Sequence, residues 1–112
     1  MGKKELLHEL SSGGLELVAK RFRALGEPSR LKLMLELADG EKSVGSLVAA
    51  CKLTQANASR HLQTLTTVGL LTRRKDGSTV LYKVSEPSIF EFCTAMCGGL
   101  RKHLEGQARA ME

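Results

Sequence analysis

Two kinds of chemistry can be read from this chain of 112 residues. One belongs to thiols. Cys93-Thr-Ala-Met-Cys97 has the i, i+4 spacing that puts both sulfurs on one face of a helix, one turn apart. Such a pair can present two thiolates to one soft ion, namely arsenic(III), antimony(III), cadmium, mercury or copper(I). It suits an internal disulfide poorly, because adjacent-turn Cα atoms lie ~6 Å apart with nearly parallel Cβ vectors. Cys51 is a third thiol, at a position whose periodicity reads as core. If the fold brings it near Cys93 or Cys97, within the chain or across a dimer, a trigonal three-thiolate site forms. The competing reading is packing, since free cysteine behaves as a small hydrophobe and Cys93 and Cys97 share an apolar stripe with Phe90, Met96 and Leu100.

The second chemistry is nucleic-acid recognition. In a helix from Gln55 to Val68, the residues Ala58, Leu62, Leu65 and Val68 form the apolar stripe. That leaves Gln55, Asn57, Ser59, Arg60, Gln63, Thr64 and Thr67 outward, and no acid occurs between Glu41 and Asp76. Asn and Gln pair bidentately with adenine, Arg with guanine, and Ser or Thr with bases or phosphates. Thr54 is a good N-cap and puts the positive helix end where a phosphate can sit. His61 lies near the apolar stripe and reads as a core-edge histidine, not a metal ligand. Downstream, Arg73, Arg74 and Lys75 stand beside a turn, Lys75-Asp76-Gly77-Ser78, flanked by alternating segments Leu70–Arg74 and Thr79–Val84. Alternation separates Arg73 from Arg74, and the cluster should serve phosphates or the minor groove, supplying affinity and salt dependence.

These residues need elements to carry them. A helix over Leu15–Leu25 stops at Gly26, and Glu27-Pro28-Ser29 starts a second. Its Leu31, Leu33, Met34, Leu35, Leu37 and Ala38 are apolar almost all round, so it should be the central core helix, ending at Asp39-Gly40. A short helix through Val44, Leu47, Val48 and Cys51, and the connection Lys52-Leu53-Thr54, precede the polar helix. Glu86-Pro87-Ser88 starts a last helix from Ile89 to about Leu104. The expected fold is mainly α with a two-stranded β-wing, a winged helix-turn-helix of order α-α-α-α-β-β-α. A helix at Lys3–Leu10 would be loosely attached through a break at Ser11-Ser-Gly-Gly14. The domain reading is a flexible segment at 1–14, a DNA-binding and dimerisation domain at 15–105, and a frayed tail at 106–112. The apolar faces of the first long helix and the last one stay uncovered in a small aliphatic domain, which points to a homodimer through those helices.

Composition is consistent with this reading. Seventeen Lys and Arg against 12 acids give +5 and a pI near 9.4, suited to a polyanionic partner. No apolar run approaches the ~20 residues of a membrane span, and the start lacks a signal-peptide apolar region. A cytoplasmic location with reduced thiols is therefore expected. No Ser-His-Asp, Cys-His or metal-water constellation suggests an enzyme.

The chain resembles bacterial regulators of the ArsR/SmtB family. The similarity runs through Phe22-Arg-Ala-Leu-Gly-Glu-Pro-Ser-Arg-Leu31, Thr54-Gln-Ala-Asn-Ala-Ser-Arg-His-Leu62 and Val68-Gly-Leu-Leu-Thr-Arg-Arg-Lys-Asp-Gly77, closed by Val80-Leu-Tyr-Lys-Val84. The resemblance implies a homodimeric repressor that sits on a palindromic operator in double-stranded DNA and leaves when an inducer binds, with no cofactor required. Three family sensor patterns are absent. Ser43-Val44-Gly45 stands where arsenic sensors carry Cys-Val-Cys. The last helix offers only His103 and scattered acids in place of the zinc, cobalt and nickel ligands. An apolar residue near Leu35 occupies the first cysteine position of persulfide sensors. Cys93 and Cys97, with Cys51 as a further candidate, remain as ligands for a soft metal or metalloid. The alternatives are a reactive sulfur or oxidant inducer, no inducer, or a winged-helix module for protein contact.

Overall fold

The computed structural model describes Ser11–Met111; the helix expected at Lys3–Leu10 lies outside the described residues. Helix α1, Ser12–Leu25, begins three residues earlier than its apolar pattern indicates. The Ser11 hydroxyl accepts the Gly14 N–H at 3.1 Å, so Ser12-Gly-Gly14 forms the first helical turn and not a break. Helix α2, Pro28–Glu36, follows a tight corner with Pro28 in its first turn and the Glu27 carboxylate accepting the Arg30 N–H at 3.0 Å. It is not buried all round. Leu33, Met34 and Leu37 face the core, whereas Leu31, Leu35 and Ala38 are exposed.

Strand β1, Lys42–Ser43, is an addition to the expected wing. Ser43 then caps α3, Val44–Cys51, its hydroxyl accepting the Ser46 N–H at 3.2 Å. Lys52 closes α3 in the left-handed region, at φ 55°. Helix α4, Gln55–Thr67, starts from Thr54, whose hydroxyl accepts the Asn57 N–H at 3.1 Å. Ala58, His61, Leu62 and Leu65 form its buried face.

Strands β2, Leu71–Asp76, and β3, Thr79–Val84, pair antiparallel from Leu71↔Val84 to Asp76↔Thr79. Lys75 and Asp76 thus belong to the ladder, and the turn shrinks to Gly77-Ser78, with Gly77 at φ +64°. β1 joins the other side of β3 through Lys42↔Tyr82 and Ser43↔Leu81, so the wing sheet has three strands in the order β1-β3-β2. Two residues are too few to show an alternating pattern in the sequence, which is why only the hairpin was legible.

Helix α5, Ile89–Ala110, extends about six residues past its expected end at Leu104, and Gly106 does not stop it. None of its residues is buried. The core is instead built by α2, α3, α4 and the hairpin, where Leu33, Met34, Leu47, Leu62, Leu65 and Leu71 are fully enclosed. Each such side chain contributes roughly 1.5–3 kcal/mol of burial. α5 meets α1 near its start, where Phe22 and Phe92 pack edge to face at 5.5 Å. Leu15 and Leu17 on α1, and Met96, Leu100 and Leu104 on α5, remain open to solvent.

The end of α4 depends on one glycine. Gly69 has φ +82°, and a Cβ there would sit 2.9 Å from Arg21 Nη2. Arg21 reaches from α1 to donate through Nε to the Val68 carbonyl at 2.9 Å, placing a cation at the negative end of α4. Gly69→Ala is expected to lower stability by about 1–2 kcal/mol through left-handed strain and displacement of this cap, read as a fall in the urea midpoint at unchanged m-value.

Candidate nucleic-acid interface and thiol groove

Helix α4 is held by its back and leaves its front free. Behind it, His61 is almost fully buried. Arg30 Nη1 lies 3.5 Å from its Nδ1, and Glu27 Oε2 lies 3.8 Å from its Nε2. Arginine can only donate, so Nδ1 accepts and the ring proton belongs on Nε2, directed at the carboxylate. Arg30 also donates through Nε to the Ala24 carbonyl. The Glu27–Arg30 corner between α1 and α2 therefore grips the inner face of α4. His61 lies at the core edge as its position suggests, but it is not hydrogen-bonded locally: its contacts are Arg30 and Glu27, 31 and 34 positions away, and nothing near it in the chain points to them.

On the front, Thr54, Gln55, Asn57, Ser59, Arg60 and Gln63 are exposed, and Thr64 is half-buried. They divide into two rows. Gln55, Ser59 and Gln63 recur every four residues and line a groove of about 680 Å3 between α4 and the wing, closed opposite by Arg73, Thr79 and Tyr82. Asn57 and Arg60 form the second row, where Arg60 Nη2 donates to Asn57 Oδ1 at 3.2 Å. Thr64 lies on that side too, but its hydroxyl proton is committed to the Arg60 carbonyl at 3.1 Å. It can still accept a hydrogen bond, although a phosphate oxygen needs a donor.

The three wing cations divide similarly. The register sets Arg73 opposite Tyr82 and Lys75 opposite Val80, on the face directed toward α4, with Arg74 on the reverse face. Arg74, expected among the phosphate contacts, forms a bidentate pair with Glu41 through Nε at 2.8 Å and Nη2 at 2.7 Å. The guanidinium beside it holds the Glu41 carboxyl below the usual carboxylate range, and the pair raises Arg74 in turn. Glu41 went unrecognised in the sequence because it is 33 positions from Arg74 and precedes a strand too short to announce itself.

The thiols are also separated. Cys93 is half-buried and Cys97 exposed, and both open onto a groove of about 500 Å3 between α2 and α5, walled by Leu35, Ala38 and Phe90. Burial, and then the neighbouring Cys97 thiol, push the Cys93 thiol above its ordinary range. Cys51 is buried in α3, its thiol pushed up by burial and then by Glu36. It opens toward Lys32, Glu36 and Lys52, across Leu35 from the pair. Among the described residues no three His, Cys, Asp or Glu side chains converge on a metal-sized site, so one chain does not form the trigonal three-thiolate arrangement. His103 is exposed on α5. No described helix is long and apolar enough to cross a membrane.

Comparison with known proteins places these features in a lineage. A family model described as bacterial regulatory protein, arsR family, matches residues 27–73, from the α1–α2 corner into the wing. A probable mercury resistance operon repressor of Streptomyces lividans is 34% identical over 74 residues, 66% of this chain and 59% of that protein. The chain thus spans about three-fifths of that relative's length. The transcriptional activator HlyU of Vibrio cholerae is 36% identical over 68 residues, 61% of this chain and 63% of its own length. Its reduced form superposes with a TM-score of 0.66 at 30% identity, covering 72% of this chain and 88% of that one. A homodimeric winged helix-turn-helix DNA-binding domain from Mycobacterium bovis superposes with a TM-score of 0.75 at 27% identity, covering 88% and 94%.

The burial order of the thiols sets their reactivity, because only an accessible thiolate is alkylated. In the native protein, iodoacetamide is expected to modify Cys97 first, Cys93 more slowly and Cys51 only on unfolding, followed by peptide mass spectrometry over time. Early labelling of Cys51 would contradict its placement in the core.

Proposed function

This chain belongs to the ArsR family of bacterial regulatory proteins, and from that premise we propose that it is a cytoplasmic, homodimeric, sequence-specific DNA-binding repressor, released from a palindromic operator by a soft metal or metalloid held by thiolates. The family binds DNA to regulate transcription and is not enzymatic. One observation carries the reading. An acid-free helix end, capped by Thr54, shares a groove with the wing, so Gln55, Ser59, Gln63 and Arg73 face the same space. Helix α4 enters the major groove, Asn57 and Arg60 read base edges beside that row, and Arg73 and Lys75 take phosphates or the minor groove.

The dimer reading is supported by the apolar surface left open on α1 and α5 and by the homodimeric Mycobacterium bovis relative. Pairing two copies through those helices presents two α4 helices to successive major grooves, which requires a palindromic site. The thiol reading is supported by the Cys93–Cys97 pair and by the mercury-resistance relative. Repression is the sign named for that relative and activation the sign named for HlyU, so a promoter-reporter assay with and without the gene for this protein decides between them. A second inducer class, an oxidant or reactive sulfur species, is favoured by the exposed Cys97.

Fluorescence anisotropy on DNA from upstream of its own gene tests the interface. Arg60→Ala should weaken binding by about 1–3 kcal/mol with the fold intact. Arg73→Ala should lower the slope of log K against log salt by about one unit, whereas Arg74→Ala should leave it unchanged because Glu41 holds that charge. A loss of slope in Arg74→Ala would mean that the ion pair opens on DNA.

The inducer is tested by titrating arsenite, cadmium, mercury and hydrogen peroxide into the protein–DNA complex. A species that binds the free dimer more tightly than the bound one must lower its DNA affinity by the same factor. The expected outcome is release of the parent protein and retention of the Cys93→Ser, Cys97→Ser double variant. Equal release of both would reduce these cysteines to packing.

A further inference from the structure

Two side chains on the outward row of α4 constrain each other. Arg60 Nη2 donates to Asn57 Oδ1 at 3.2 Å, across just under one turn of the helix. Arginine has no acceptor, so the carboxamide atom it meets must be the oxygen. The Asn57 backbone is fixed as well, since its N–H goes to the Thr54 hydroxyl that caps the helix. No acid occurs between Glu41 and Asp76 in the chain, and no ion pair among the described residues involves Arg60. The guanidinium therefore leans on Asn57 and stays exposed.

We propose that Arg60 and Asn57 act as one donor-only reader of a guanine in each operator half-site, with Arg60 on O6 and N7 and Asn57 as its positioning residue. The proposal rests on the reading of α4 as the helix that enters the major groove, and it names the base. Guanine shows two acceptors on its major-groove edge, whereas adenine shows one acceptor and one amino donor. Asparagine pairs with adenine by accepting from that amino group while donating to N7. Asn57 has its oxygen turned to a cation. An adenine amino group brought to the same oxygen would face the guanidinium as one donor against another. Only Nδ2 is left, and it donates.

Arg60 loses less by the contact. Its Nη2 carries two hydrogens, one in the fork shared with Nε and one in the fork shared with Nη1. Asn57 takes one of them, so a complete fork remains for O6 and N7. The contact also restricts a long side chain before DNA arrives, which lowers the ordering cost of binding. Position agrees with this role, because Asn57 and Arg60 stand in the first half of α4, the part that recognition helices bring to base edges. Gln63, in the neighbouring row, differs. It donates through Nε2 to Thr67 Oγ1 at 3.5 Å, which leaves its carboxamide oxygen without a partner among the described residues. Gln63 thus keeps the paired acceptor and donor that adenine requires, and Asn57 does not.

The test selects binding sites from double-stranded DNA with randomised positions, using the full chain and its Arg60→Ala, Asn57→Ala and Asn57→Asp variants. Both positions are exposed, and circular dichroism checks that each variant is folded. The parent is expected to select guanine at one position per half-site, and Arg60→Ala to lose that preference alone. Asn57→Ala should cut the preference for guanine over adenine there by about fivefold or more, where a merely structural role would weaken all sequences alike. Asn57→Asp still accepts from Arg60, so it should restore the preference while binding every sequence more weakly. In the selected duplex, 7-deazaguanine, which lacks the N7 acceptor, should weaken the parent about tenfold and leave Arg60→Ala unaffected. Inosine keeps O6 and N7 and should be bound like guanine. A guanine preference that survives Arg60→Ala, an adenine preference that disappears with Asn57→Ala, or no recovery in Asn57→Asp overturns the proposal and leaves α4 as the reading helix. If the parent enriches no sequence, both readings fall together.

Discussion

The fold depends on the burial of one face of α4. Ala58, Leu62 and Leu65 are wholly enclosed, and Leu62 and Leu65 meet Leu33 and Met34 from α2, Leu47 from α3 and Leu71 from β2 in a single core. Because that face is committed, the opposite face must be solvent-facing, and its residue types are then free to serve recognition instead of stability. Two polar contacts add direction to the apolar contact. Arg21 binds the Val68 carbonyl at one end of the helix, and the Glu27–Arg30 corner meets His61 at the middle. A hydrophobic face alone permits rotation and sliding, whereas hydrogen bonds of this kind hold register.

Charge follows the same division between holding and reading. Arg21, Arg30 and Arg74 are all engaged with this chain's own carbonyls or carboxylates, although each looks like part of a general positive surface in the sequence. Arg73 lines the groove, Lys75 shares its strand face, and Arg60 stands on the exposed row of α4 beside it. A net charge of +5 therefore overstates how many cations are at liberty to meet a polyanion, and their placement matters more than their number.

The helices that build the core and the helix that carries the thiols are different, and α2 connects them. Its inner face packs toward α4 while its outer face, through Leu35, forms a wall of the thiol groove together with Ala38 just beyond its end. α5 itself buries nothing fully. Its position is consequently the least constrained by one chain and the most open to influence from a second copy or a ligand, which is a physical basis for coupling there rather than within the rigid core.

Much of this was determined by local sequence. Period-3.6 patterns, Pro28 after Glu27, Thr54 as a cap, the acid-free run and alternation around Gly77 specify the helices, the wing and the polar face of α4, because each signal acts within a few residues. The first turn at Ser12–Gly14 and the last turns past Gly106 departed from local expectation, since a capping hydroxyl and helix continuity outweigh weak glycine propensity. Only the tertiary structure decided that β1 joins the sheet, that Arg74 pairs with Glu41, and that Cys51 stays across Leu35 from Cys93 and Cys97. The β1–β3 and Arg74–Glu41 contacts join residues 33 to 40 positions apart through packing geometry, and no local propensity encodes which distant partner a side chain will meet.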